Sequence, residues 1–313
     1  MQDKGLIIKR ERICAVVVTF NRKTLLEECL TALLNQTRRL DEIIVIDNAS
    51  TDGTDELMKA KFAGITYVNL SENIGGAGGF HEGMKLAYEK GDDWIWVMDD
   101  DAIPTADALE KLLDCPVRLK GEVYALASTV INRDGTIFLA HRRLFDAKTM
   151  TETIIDAGKY ERDYFEMDTA SFIGFLISHK AIKQIGLPLK EMFIYFDDTE
   201  YSLRIRKRGI MVTIPASKIV HGEPGKALSD SPWWPPPYGW KRYYATRNRI
   251  YTYKRHCKSI LAFYMFLPMM TLFDIRDTLI LRRSRFRSLK AILFGTIDGL
   301  LNKLGKNSVF LPD

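Results

Sequence analysis

Two short runs, 13–19 and 42–46, are apolar at nearly every position and rich in β-branched residues. Without polar alternation, such runs predict strands buried on both faces. Between them Leu25, Leu26, Cys29, Leu30, Leu33 and Leu34 recur at helical spacing across 24–36. A helix over 56–62, a strand over 65–70, a helix over 80–90 and a fourth strand, Trp94-Ile-Trp-Val-Met98, continue the alternation. This order predicts an α/β fold with a mainly parallel central sheet. Ligands of such sheets bind beyond the carboxyl ends of the strands, so the residues that follow each strand are the ones to inspect. From about Val123 to Phe145 the pattern shortens to small strands and turns. It then predicts a strand over 172–177, helices over 181–185 and 198–208, and a strand over 210–214. The stretch 229–239 holds Trp233-Trp234 and three successive prolines and cannot be regular structure.

The chain has 313 residues, 46% hydrophobic and 27% charged, which fits one large domain with an appendage or two modest domains. Its net charge of +5 is unevenly spread. Between 254 and 306 there are 11 Lys and Arg against Asp274, Asp277 and Asp298. A basic tail of this kind suits phosphates, and its interleaved Leu, Ile and Phe point to an anionic membrane surface rather than nucleic acid. The longest apolar run, 259–273, is broken by Pro268 and falls short of the roughly 20 residues of a bilayer span, so it is expected to lie on a membrane. Cys14, Cys29, Cys115 and Cys257 show no CxxC spacing and read as thiols in a reducing compartment. The start, MQDKGLIIKRER, is too charged for a secretory signal.

Asp99-Asp100-Asp101 directly after the fourth strand carries the strongest chemical signal. Three carboxylates at a sheet end repel one another and lose solvation, and a divalent cation relieves both costs. In extended chain Asp99 and Asp101 share a face and Asp100 points away. Mg²⁺ takes one or two carboxylates plus substrate phosphates. The plain alternative is an exposed acidic turn. Asn73-Ile-Gly-Gly-Ala-Gly-Gly79 offers free amides before a helix, suited to pyrophosphate, or else serves packing alone. It matches neither a dinucleotide fingerprint nor a P-loop, which weakens a nicotinamide-dependent oxidoreductase. Asp197, Asp198 and Glu200 stand at a helix start, where Asp197 with Glu200 resembles a capping box. One aspartate more than a cap needs leaves a candidate general base. His221 falls on a loop and is a candidate metal ligand. Trp233, Trp234, Asp197 and Arg247 are candidate acceptor or phosphate contacts.

In this order the segments resemble the family-2 inverting glycosyltransferases of the GT-A fold, across roughly 13 to 255. Within that family they are most similar to bacterial galactofuranosyltransferases and rhamnosyltransferases. The resemblance implies that Thr19-Phe20-Asn21 and Asp47-Asn-Ala-Ser50 form the nucleotide-base loops, with Asp47 on the uracil. It implies donor contacts at Asn73, Gly76 and Asp100, a Mn²⁺ or Mg²⁺ ion held by Asp99, Asp101 and His221, and a catalytic base at Asp198. It further implies a catalytic domain over 1–255, with a donor half over about 13–101 and an acceptor half over about 102–255. The helical segment 256–313 would then associate with the membrane. Arg-Asn-Arg249 and Gly-Thr-Ile-Asp-Gly299 match late family segments. Where a polymerising relative carries a paired-tryptophan acceptor motif, this chain has Ser171-Phe-Ile-Gly-Phe175.

The expected activity is transfer of galactofuranose from UDP-galactofuranose, or of rhamnose from dTDP-rhamnose, to a lipid-linked cell-envelope glycan at the cytoplasmic face of the membrane. The alternative from another class is a non-catalytic nucleotide-sugar-binding protein, which would not need the second acidic cluster.

Overall fold

The computed structural model describes residues 10–222, 238–281 and 285–311; Trp233 and Trp234 lie outside them. The first half alternates strand and helix: β1 (Ile13–Thr19), α1 (Lys23–Leu34), β2 (Glu42–Asp47), α2 (Thr54–Lys61), β3 (Thr66–Asn69), α3 (Gly75–Glu89) and β4 (Trp94–Asp99). Next come β5 (Ala102–Pro104), α4 (Ala108–Asp114), β6 (Val123–Ile131), β7 (Arg142–Asp146), β8 (Thr151–Ile154), β9 (Phe165–Met167) and β10 (Thr169–Ala170). The chain continues through β11 (Phe175–Ser178), α5 (His179–Ile185), α6 (Asp197–Arg206) and β12 (Ile210–His221). Three helices close it: α7 (Trp240–His256), α8 (Ile260–Leu281) and α9 (Arg285–Leu300).

The main sheet runs β3-β2-β1-β4-β11-β6-β12-β5, with β9 also on β12. Strands β1 to β4 pair in parallel, as do β6 and β12. Antiparallel β11 joins the two halves between β4 and β6. A small sheet, β10-β7-β8, stands apart. All seven residues of β1 are buried because helices cover both faces. Ala15 and Val17 pack with Leu26, Leu30 and Leu33 of α1, while Val16 and Val18 pack with Phe80 and Met84 of α3. Gly79 and Gly83 let α3 lie directly on β1, since a Cβ at either would stand 2.5 or 2.3 Å from a valine methyl.

Three elements differ from the sequence pattern. Helix α3 starts at Gly75, not at 80, because those glycines are needed for close packing despite their low helix propensity. Strand β12 continues to His221, and a register shift between Ile214 and Lys218 hides its alternation. Helix α8 runs through Pro268, which costs one helical hydrogen bond but does not end it.

Residues 285–311 fold back on the rest of the chain. Helix α9 meets α7 closely at Gly295 and Gly299, where a Cβ would stand 2.7 Å from the Tyr243 and Arg247 carbonyl oxygens. Lys306 Nζ donates to the Asn73 carbonyl at 2.9 Å. No helix among the described residues is long and apolar enough to cross a membrane. Helix α8 nonetheless exposes Leu261, Met265, Leu272 and Ile280, and α9 exposes Phe286 and Leu293.

Candidate active site

The apolar residues of β4 are buried as far as Met98, and the strand hands its next three residues to the carboxyl edge of the sheet. There β12 pairs with β5 in a register that sets His221 opposite Ala102, one residue past Asp101. His221 Nε2 therefore stands 3.2 Å from Asp101 Oδ1. That contact falls short of an aligned hydrogen bond. Asp101 Oδ1 and His221 Nδ1 both stay buried without a hydrogen-bond partner among the described residues.

Arg22, just before α1, reaches across from β1. Its Nη1 lies 3.0 Å from Asp101 Oδ2 and 3.4 Å from Asp100 Oδ1. Thr19 Oγ1 donates to Asp100 Oδ2 at 2.7 Å. Asp100 thus turns toward β1, yet Arg22 still spans it and Asp101.

Burial and two neighbouring carboxylates push Asp99 well above the ordinary carboxylate range. Burial raises Asp100 to about 6, against the Arg22 charge and the Thr19 hydrogen bond. For Asp101 burial acts the same way, but His221 and Arg22 outweigh it and hold the group below its usual value.

The donor set fits a hard or borderline divalent cation. Three carboxylates face one arginine, and two buried ligand-type atoms lack partners. The 3.2 Å separation of Nε2 and Oδ1 is close to the roughly 3 Å between adjacent ligands about 2.1 Å from an octahedral ion. Asp99, Asp101 and His221 do not all lie within 4.8 Å of one another; among the described residues Cys14, Glu42 and Asp92 do. That second group lies at the opposite end of the sheet, where Lys90 bonds Glu42 and Arg12 bonds Asp92, so it already has its counter-charges.

The loops after β1 and β2 are tied together. Asn21 Oδ1 accepts from Thr51 N at 2.7 Å, and Asp52 Oδ2 accepts from Lys23 N at 2.8 Å. Phe20 projects from this pair, 40% exposed. Two residues expected at the donor are buried and bonded within the protein. Asp47 is fully buried, with Oδ1 taking the Ser50 N–H and Oδ2 the Tyr67 hydroxyl, so it braces the base loop from below. Thr19 is 2% exposed and serves Asp100.

In the glycine-rich segment Asn73 Oδ1 accepts from Gly75 N at 2.8 Å and shapes the turn. Gly75 has φ +79°, and a Cβ there would lie 2.0 Å from the Phe193 carbonyl oxygen. Gly76 alone of this run has open space over its Cα, nothing lying within 4 Å, and is the position a ligand can approach.

The second acidic cluster starts α6. Phe196, the residue that precedes the helix, makes no side-chain cap. Glu200, the expected capping-box partner, instead bonds Arg204 at 2.8 Å and faces His256 at 3.6 Å. Asp197 and Asp198 are therefore left for other work. Burial raises both above the ordinary range; the Asp198 charge adds to the rise of Asp197, and the Arg143 charge restrains Asp198. Thr199 N donates to Asp198 Oδ1 at 2.6 Å. Asp197 is among the charges that raise Asp99, so the two acidic clusters lie within electrostatic reach of each other although about a hundred positions separate them.

Arg247 is placed differently from its expected role. Far from offering itself to phosphate, it is fully buried and donates to the Glu191, Met192 and Gly305 carbonyl oxygens. The tyrosines beside it are core, as their spacing predicts. Sequence reasoning missed Arg22, whose only signal was its place directly after Thr19-Phe-Asn21. It also missed Arg143, which pairs with Glu152 beside Asp198, and His141, whose ring meets His221 edge-on at 5.2 Å. These two lie in the short strands and turns of 123–145, where the pattern carried no chemical signal.

Comparison with known proteins agrees with this geometry. The sequence profile of "Glycosyl transferase family 2" matches residues 14–186. The chain is 32% identical over 202 residues to galactofuranosyltransferase GlfT1 of Mycolicibacterium smegmatis, covering 64% of this chain and 67% of that one. The match thus spans about two thirds of that relative's length. It is 26% identical to the dTDP-rhamnosyl transferase RfbF of Shigella flexneri over 92% of this chain and 95% of the relative. Its fold is shared with the mannosyltransferase PcManGT of Pyrobaculum calidifontis, solved with GDP-Man and Mn²⁺, at a TM-score of 0.56 and 16% identity over 95% and 89% of the two chains. The architecture is that of the GT-A glycosyltransferases.

Proposed function

The chain belongs to glycosyl transferase family 2, and from that premise we propose that it is a metal-dependent inverting enzyme that moves galactofuranose from UDP-galactofuranose to a lipid-linked cell-envelope glycan. One observation supports the reading: the acids that open α6 lie within electrostatic reach of the acids after β4. A binding protein needs the first set only. A transferase needs both, one for the leaving group and one for the nucleophile.

Asp99, Asp101 and His221 would hold Mn²⁺ or Mg²⁺. When bound, that ion neutralises charge on the donor diphosphate. Phe20 is exposed to stack on the base, and the open face of Gly76 admits the donor. Asp198 takes the proton of the acceptor hydroxyl. The hydroxyl oxygen then bonds to the anomeric carbon from the face opposite the nucleotide, and the carbon–oxygen bond to the diphosphate breaks. The anomeric centre inverts, and the nucleoside diphosphate leaves with the electron pair.

Similarity to the Shigella dTDP-rhamnosyl transferase extends over nearly the whole chain, so dTDP-rhamnose is the second donor to test. A panel of UDP- and dTDP-sugars, assayed for nucleotide release with Mn²⁺, decides the donor. Release of UDP from UDP-galactofuranose is expected, and release of dTDP alone would reassign it.

Residues 256–313 are proposed to dock on the cytoplasmic face of the membrane. The exposed apolar residues of α8 and α9 lie among the exposed basic residues Arg276, Arg285 and Lys290, a combination that suits anionic lipid. In vesicle flotation the protein should rise with phosphatidylglycerol-containing vesicles at low salt and less with neutral ones. Equal flotation on both would remove the electrostatic part of the claim.

A further inference from the structure

Three bulky residues just ahead of the candidate base lie in the left-handed region: Phe193, Tyr195 and Phe196, each with φ 66°. Side chains with a Cβ rarely adopt this conformation, and three within four residues persist only where the surroundings over-determine them. Asn248 supplies the determination. It is fully buried in α7, and its Nδ2 donates to the carbonyl oxygens of Met192, Ile194 and Tyr195 at 2.9, 2.9 and 2.8 Å. Its Oδ1 accepts from Arg247 Nε at 2.8 Å, and Arg247 in turn donates to the Met192 carbonyl at 3.0 Å. The segment is pinned from the donor side as well, where Ala77 N donates to the Phe193 carbonyl at 3.1 Å.

We propose that Asn248 is a positioning residue for acceptor activation: it holds 192–196 in the strained conformation that sets the direction in which Asp198 leaves the start of α6. The inference rests on the assignment of Asp198 as the base. One amide group gathers carbonyls from both sides of the left-handed turn, so the direction of the next residues follows from its three bonds. No other side-chain type of this size offers two N–H donors to the carbonyls and an acceptor oxygen to Arg247.

The test compares Asn248→Asp, which keeps volume and the Arg247 contact, and Asn248→Ala with wild type. Each should lower kcat for transfer by roughly 10²-fold, the cost of an ångström-scale misplacement. Donor KM and acceptor-free donor hydrolysis should stay within about threefold, since the donor half is untouched. Tyr195→Gly added to Asn248→Ala should recover about tenfold of kcat, because glycine adopts positive φ without strain. That recovery is one a general packing defect would not give. Wild-type kcat in both Asn248 variants, a parallel loss of donor hydrolysis, or no recovery with Tyr195→Gly would overturn the proposal. Asp198→Asn is assayed alongside. If it transfers sugar normally, the base assignment and this inference fall together; if it is inactive while the Asn248 variants are not, the positioning role alone falls.

Discussion

Asp198→Asn is expected to abolish sugar transfer and leave metal-dependent donor binding intact. Asparagine keeps the size of the side chain and its bond to Thr199 N, but its amide cannot take a proton from a hydroxyl. Loss of a positioned general base costs about 10²–10⁴-fold in rate. The pH dependence carries the same information. Asp198 must be ionised to act, and burial raises it above the ordinary carboxylate range. Activity should therefore climb with pH through a limb that lies above the usual aspartate value, and the residual activity of the variant should lack that limb. Calorimetry of UDP binding with Mn²⁺ should give similar affinities for variant and wild type. Turnover at the wild-type rate would take the base role from Asp198.

Asp101→Ala is expected to act on the other half of the reaction. Asp101 touches both His221 and Arg22, so its loss removes a proposed ligand and leaves both neighbours without that carboxylate. If the ion supplies several kcal/mol to the departing diphosphate, about 4 kcal/mol corresponds to roughly 10³-fold in turnover. Donor affinity should fall with it, in contrast to Asp198→Asn. Chelation should bring wild type down to a similar level and change the variant little. A variant that still loses most of its activity to chelator would show that the ion sits elsewhere.

The sheet was legible because β1, β2 and β4 are buried on both faces and carry uninterrupted apolar runs. Asp99-Asp100-Asp101 was legible for the same reason, since acids directly after such a strand must stand at its end. His221 was not. A register shift after Ile214 broke the alternation of β12, so His221 read as a loop candidate, and the family resemblance strengthened the choice of the residue that this strand brings beside Asp101. Arg247 misled because an arginine on a helix reads as solvated or phosphate-binding. Its acceptors are backbone carbonyls of a strained segment, and no residue pattern announces those. The glycines of α3 hid their helix because propensity argues against it, whereas contact with β1 requires them.

The reading depends most on a divalent cation holding the donor diphosphate between β4 and the end of β12. Anomalous scattering at the manganese edge, from crystals grown with UDP and Mn²⁺, locates that ion directly. The expected result is a single peak within bonding distance of Asp101 and His221, with Arg22 displaced from the carboxylates. A peak at Cys14, Glu42 and Asp92 alone, or bound UDP with Arg22 still on Asp101 and no manganese beside it, would contradict it.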